Sequence, residues 1–208
     1  MMSRRFIILA ILFNVCLIAS NLFDTKIFTA GPLTLTGGLL IFPLSYVIND
    51  CLTEIWGFRR TRTVIRAAFV INLIFILLAQ LVRILPPAPF WDGQEHFDYI
   101  FAANFRITVA SMTAFLAGSL VNSLILDRMH RKAHGDRGFG LRAIISTLGG
   151  ESLDSVIFFP IAFWGVGLRN MTVLMITQII LKTLYEIIIL PITAYVVSRF
   201  RKAENIWV

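Results

Sequence analysis

Ionisable side chains lie inside apolar stretches of this chain, at spacings that place them in pairs on one helix face. The spacings are four, three and four residues, in the pairs Asp50 and Glu54, Glu151 and Asp154, and Lys182 and Glu186. Residues three or four apart are neighbours on an α-helix. Carboxylates held in this way can bind a cation, a proton or a solute that offers hydrogen-bond donors.

Five of these six groups are acids, and a surplus of buried carboxylates needs positive charge or hydrogen-bond donors from elsewhere. Two structural alternatives stay open: Lys182 and Glu186 can neutralise each other as an ion pair, and Glu54 can reach the interface from near the end of its segment. Neither accounts for the remaining acids. The sequence therefore predicts a binding site, to which we add Asn49 because it adjoins Asp50.

The elements that must position these groups follow from the composition. The chain is 57% apolar and 15% charged, whereas soluble domains average about 45–50% apolar and about 25% charged. The net charge of +7 would suit a nucleic-acid partner, but the bases occupy short gaps between apolar stretches, as topology signals do. We therefore expect a protein of the lipid bilayer with no nucleic-acid partner.

Six segments are long enough to cross a membrane as helices, since about 20 residues at ~1.5 Å per residue span the ~30 Å hydrocarbon core. They are Phe6–Leu22, Leu35–Trp56, Val64–Leu85, Phe105–Leu126, Ala143–Val166 and Met171–Ser198. The first resembles a signal peptide, but its long apolar run, interrupted by Asn14, favours an uncleaved span. The predicted fold is an all-α membrane protein with six transmembrane helices in one domain over residues 1–208.

The distribution of lysine and arginine predicts the orientation. Of the 19 such residues, 14 lie on one predicted side: at the two termini, in the loops after the second and fourth segments, and at Arg66 just inside the third segment. Four lie on the other side, in the remaining loops or close to a segment end, and Lys182 lies deep within the last segment. Basic residues concentrate on the cytoplasmic side, so both termini are predicted to be cytoplasmic, in a bacterial inner membrane. Residues 86–104 form the only long outer connection, either an aromatic interfacial anchor or a lid.

The acids of three segments share one predicted depth. Asp50 lies nine residues before Arg59, and Glu151 nine after Arg142, which corresponds to about 13 Å in each case. Glu186, thirteen residues before Arg199, lies about 20 Å from the same edge. The second and fifth segments each carry an acid pair and a proline, a pattern that permits, without requiring, a 3+3 inverted repeat.

Motifs for catalysis are absent from the sequence. The three histidines lie outside the six segments, so no histidine pair supports a metal site in the membrane. The sequence has neither a Gly-x-Ser-x-Gly elbow nor a phosphate-binding loop of the Gly-x-x-x-x-Gly-Lys type. We therefore expect neither an enzyme nor a cofactor, and no ATP hydrolysis by this chain alone.

Three stretches resemble the signatures of a known family. They are Asn-Asp-Cys-Leu-Thr-Glu-Ile-Trp-Gly-Phe-Arg-Arg at residues 49–60, Ser-Thr-Leu-Gly-Gly-Glu-Ser-Leu-Asp-Ser at residues 146–155, and Lys182, Glu186 and Pro191 in the last segment. They are similar to those of the queuosine-precursor transporters, and the resemblance covers roughly residues 6–200. It implies uptake of 7-cyano-7-deazaguanine and 7-aminomethyl-7-deazaguanine, with protons as an open choice of coupling ion.

Two other functions stay open at the level of sequence. One is a substrate-binding subunit that depends on a separate ATPase module, and the other is a membrane enzyme that acts on lipid. A homodimer is compatible with so small a bundle, although no sequence feature requires one.

Overall fold

The computed structural model describes residues 3–132 and 139–203, and it is mostly helical. Its elements, in chain order, are α1 (Arg4–Phe23), β1 (Ile27–Ala30), β2 (Leu33–Thr36), a 3-10 turn (Gly37–Leu40), α2 (Phe42–Trp56), α3 (Phe58–Arg83), α4 (Gln94–Lys132), α5 (Phe139–Ala162) and α6 (Leu168–Ala203). The two short strands pair with each other as a hairpin. Each predicted segment therefore overlaps one helix.

Four stretches of the described chain are long and apolar enough to cross a membrane: Arg4–Phe23, Arg59–Arg83, Gln94–Gly118 and Leu168–Ile189. By contrast, α2 has only 15 residues and a length of about 22 Å, which is short of the ~30 Å hydrocarbon core. The mostly helical fold is thus confirmed, with four candidate membrane spans among the described residues, whereas the hairpin of β1 and β2 departs from the all-α prediction. The count of six spans, the cytoplasmic termini, the inverted repeat and the single domain stay predictions.

The prediction of one continuous helix over Leu35–Trp56 is wrong at its start. Leu35 and Thr36 end β2, the 3-10 turn follows, and α2 begins only at Phe42. Pro43 lies in the first turn of α2, where a missing N–H costs no helical hydrogen bond. Glycine has a low helix propensity, so Gly37 and Gly38 also favour an interruption here.

A buried carboxylate holds this interruption in place. Asp24, at the end of α1, accepts hydrogen bonds from the Thr36 hydroxyl at 2.5 Å and from the Gly38 N–H at 3.1 Å. The Ser20 hydroxyl donates to the Gly38 carbonyl oxygen at 3.4 Å. A Cβ atom at Gly37 would lie 2.5 Å from the Phe23 carbonyl oxygen, so the chain approaches α1 more closely than a side chain allows.

The connection between α3 and α4 is shorter than predicted, because α4 begins at Gln94. The Gln94 amide donates to the Arg83 carbonyl oxygen and to the Asp98 carboxylate, both at 3.1 Å. The Phe101 ring packs on Phe97 with ring centroids 4.4 Å apart. Tyr99 is 73% exposed, as an interfacial anchor would be.

The described residues pack as two units, each with its own core. The first combines α1, the 3-10 turn, α2, α3, α4 as far as Phe105 and α6 from Ile188. Its core lies among α1, α2 and α3, where the Phe6 and Trp56 rings meet edge to face at 5.4 Å. The second combines residues 27–35, α4 from Arg106, α5 and α6 as far as Ile187. Its core contains Ile107, Ala110, Ala114, Phe158, Phe159 and Leu174.

Gly57 separates α2 from α3 in a backbone conformation that only glycine adopts readily, with φ +84° and ψ +155°. A Cβ atom there would meet nothing within 4 Å, so a substitution would cost backbone strain alone. We expect Gly57→Ala to lower the free energy of unfolding by about 1–3 kcal/mol. Thermal unfolding of the detergent-solubilised protein would measure this loss.

The matched control is Gly31→Asn. Gly31 also has open space around it, but its φ of +60° lies in the left-handed region that asparagine visits. This variant should unfold close to the wild-type temperature. Equal losses in both variants would show that backbone conformation is not the reason for glycine at position 57.

Candidate functional site

A buried ion pair joins α5 to α6 in the second unit. The Lys182 Nζ lies 3.5 Å from Asp154 Oδ2. Lys182 is 6% exposed and Asp154 is 4% exposed, so both charged groups are buried inside the protein. Two charges removed from water attract each other strongly, but each loses solvation that this attraction offsets only in good geometry.

Glu151 lies one turn before Asp154 on α5 and is also buried. Its Oε2 accepts a hydrogen bond from the Thr183 hydroxyl at 3.4 Å. Thr183 adjoins Lys182, so neighbouring residues of α6 serve the two acids of α5. The spacing of three residues places both carboxylates on one face of α5, as the sequence predicts.

Helix α4 approaches α5 closely beside Asp154. A Cβ atom at Gly118 would lie 2.8 Å from the Gly150 carbonyl oxygen and 3.0 Å from Asp154 Cβ. Only a residue without a side chain lets α4 come this near, so Gly118 sets the position of the backbone that carries Asp154.

Ser155 is fully buried, and within the described part of the chain its hydroxyl oxygen has no hydrogen-bond partner. Nearly all buried polar groups in proteins have one, so an orphaned hydroxyl is a candidate for contact with a ligand. Ser155 lies four residues after Glu151 and therefore shares its helix face. Sequence reasoning missed Ser155 and Thr183, and the only signal for them was their position beside the acids.

The structure describes four of the seven predicted site residues in full. Glu151, Asp154 and Lys182 lie together in the second unit. Asn49 lies in the first unit, partly buried, and its Oδ1 has no hydrogen-bond partner among the described residues. The side chains of the other three lie outside the described ones: Asp50, Glu54 and Glu186. The pairing of Lys182 with Asp154, across two helices, was not predicted.

Residues 3–132 and 139–203 contain no cluster of three or more His, Cys, Asp or Glu side chains that could hold a metal ion. The arrangement around Asp154 instead offers two carboxylates, one ammonium group and several hydroxyls. This set of groups suits hydrogen bonding to an organic solute.

Comparison with known proteins decides the family. Residues 36–196 match the model of the family described as "Putative vitamin uptake transporter". The chain belongs to this transporter family. The resemblance predicted from the three signatures is thereby confirmed, and membership agrees with a multi-pass membrane protein that is not an enzyme.

Curated relatives in three bacteria carry related names. The "Queuosine precursor transporter" of Escherichia coli is 28% identical over 62% of this chain and 55% of its own length. The "Probable queuosine precursor transporter" of Haemophilus influenzae is 25% identical over 62% of this chain and 52% of its own length. The "Probable queuosine precursor transporter" of Bacillus subtilis is 26% identical over 72% of this chain and 65% of its own length.

This chain thus spans between about half and two thirds of the length of these relatives. No solved structure matches it significantly.

Gly118→Ala should push α4 away from α5, since the new methyl group would press on backbone at Gly150. Overpacking of this kind costs about 1–3 kcal/mol, and we expect a matching loss of thermal stability in this transporter. Gly149→Ala is the control, because its methyl group would meet only the mobile end of the Ile125 side chain. If both variants unfold at the wild-type temperature, Gly118 does not set the approach of the two helices.

Ser155→Ala should weaken transport without lowering stability. Because the Ser155 hydroxyl makes no hydrogen bond with the residues that the structure describes, its removal should leave thermal stability unchanged or slightly higher. The half-saturation concentration for transport should rise if the hydroxyl contacts the solute. Parallel thermal-unfolding and uptake assays would measure both quantities.

Ser45→Ala is the control for this variant. Its hydroxyl donates to the Phe42 carbonyl oxygen at 2.6 Å, so removal of this paired hydroxyl should cost about 0.5–1.5 kcal/mol of stability. Unchanged transport by Ser155→Ala would remove Ser155 from the site.

Proposed function

We propose that this chain imports queuosine precursors, namely 7-cyano-7-deazaguanine and 7-aminomethyl-7-deazaguanine. The observation that carries the proposal is the buried pair of acids on α5, with Lys182 beside them, in a member of a transporter family. The names of the curated relatives support the substrate class.

The chemistry of the solute fits buried carboxylates. A guanine-like ring presents an N–H and an exocyclic NH₂ group side by side, and one carboxylate can accept both hydrogen bonds. Glu151 is the acceptor that we assign to this edge of the ring. The hydrogen bond that it accepts from the Thr183 hydroxyl, at 3.4 Å, is long and can be exchanged for a shorter one.

The energetics favour a functional origin for these groups. A carboxylate within a membrane-spanning helix is costly, and such residues commonly mark solute or ion pathways. Asn49, Asp50 and Glu54 on α2, and Glu186 on α6, join the binding residues of this proposal on the strength of their signatures. A proton carried by one of the acids is the coupling ion that we propose.

Uptake of labelled 7-cyano-7-deazaguanine tests the proposal in cells that neither make this compound nor import it. The wild-type chain should restore uptake. Glu151→Gln should weaken the apparent affinity about 10- to 100-fold, because a hydrogen bond to a charged group contributes about 1.5–3 kcal/mol. Asp154→Asn should weaken it as well, because it removes the carboxylate that faces the buried Lys182 charge. Glu95→Gln, at an exposed acid in the first turn of α4, should transport normally.

Wild-type uptake by both site variants would exclude the assigned acids. Uptake that requires a co-expressed ATPase module would instead identify the chain as a substrate-binding subunit. Turnover of lipid by the purified protein, without uptake of the labelled solute, would contradict import altogether.

A further inference from the structure

Stability alone does not explain the buried contact between Lys182 and Asp154. The two side chains are more than nine-tenths buried, with Nζ and Oδ2 3.5 Å apart. Replacing a buried ion pair by well-packed apolar residues is often neutral or even stabilising. The core around Phe158, Phe159 and Leu174 shows that this unit also packs by apolar contact alone. The pair therefore suits a role in solute selection.

Lys182 carries the same chemical group as one of the two proposed solutes. Its ammonium group stands at the end of a flexible four-carbon stem, which lets it move toward or away from a partner. The aminomethyl solute also bears a primary alkylamine, which keeps its proton at neutral pH as lysine does. The cyano solute has no such charge.

Two ammonium groups repel each other at one carboxylate. A solute with an ammonium group must either displace Lys182 from Asp154 or bind beside the Lys182 charge while Asp154 stays paired with it, and like charges in contact carry a large penalty. A neutral solute leaves the pair intact. The rest of the ring is the same in both solutes, so contacts with Glu151 and Ser155 do not distinguish them.

We propose that Lys182 is a tethered counter-ion that occupies the cation position at Asp154 and sets the preference of the site for neutral over cationic deazaguanines. This inference rests on the proposed function. It makes Lys182 a determinant of specificity, and it accounts for a buried ion pair that ties α5 to α6 beside the second acid.

The test is the ratio of half-saturation concentrations for the aminomethyl and cyano compounds, measured on the same cells. Expression and folding affect both compounds equally and cancel in this ratio. Lys182→Met removes the competing cation and should shift the preference about tenfold or more toward the aminomethyl compound. Asp154→Asn leaves the lysine charge uncompensated and should shift it in the opposite direction.

Two further variants complete the design. Lys182→Gln keeps a hydrogen-bond donor without the charge and should shift the ratio in the same direction as Lys182→Met. Arg169→Met removes one positive charge from an exposed position at the start of α6 and should leave the ratio unchanged. If neither Lys182 variant accumulates in the membrane, the shift in Asp154→Asn alone decides.

The outcomes separate this inference from the proposed function. An unchanged ratio, or a shift in the same direction on removal of either partner, would overturn the counter-ion role while wild-type uptake still supported import. Failure of the wild-type chain to take up either compound would overturn both. Opposite shifts in the two partners would establish Lys182 as the selecting charge.

Discussion

The cost of placing charge in an apolar environment governs this structure, because each buried acid must find a partner inside the protein. Asp154 has the Lys182 ammonium group, and Glu151 has the Thr183 hydroxyl. Asp24 uses a hydroxyl and a backbone N–H of the segment that follows the hairpin. These partners lie on different elements from the acids they serve. The same requirement therefore positions helix α6 beside α5 and anchors the start of the second predicted segment to α1.

The partners differ in what they make available to a solute. Asp24 lies at the end of α1 and is bound by a nearby turn, an arrangement that shapes the backbone. Asp154 and Glu151 lie within α5, and their partners are side chains that can move. Gly118 brings α4 against the same stretch, and the Ser155 hydroxyl, which has no hydrogen-bond partner among the described residues, adds a further polar group. Rigid backbone and exchangeable side-chain contacts are thus combined in one part of α5, which is what a selective binding site needs.

Sequence reasoning predicted the helices well where apolar runs were long. The first and third predicted segments match α1 and α3 to within about six residues at each end, since hydropathy and helix length are local properties. The predicted helix start of the second segment was wrong because a distant residue fixes the local backbone. Thr36 and Gly38 take their conformation from Asp24, which lies twelve and fourteen residues earlier in the chain. A window of hydropathy contains no information about such a contact.

By itself the sequence determined that acids lie within apolar segments, that Glu151 and Asp154 share a face, and that three signatures resemble one transporter family. Helix geometry suffices for the first two, because residues three or four apart must be neighbours. Only the tertiary structure decided that Lys182 contacts Asp154 and that Gly118 lies against Gly150. Contacts between helices depend on how each helix is rotated and how closely it approaches the next, and these quantities arise from the packing of the whole unit.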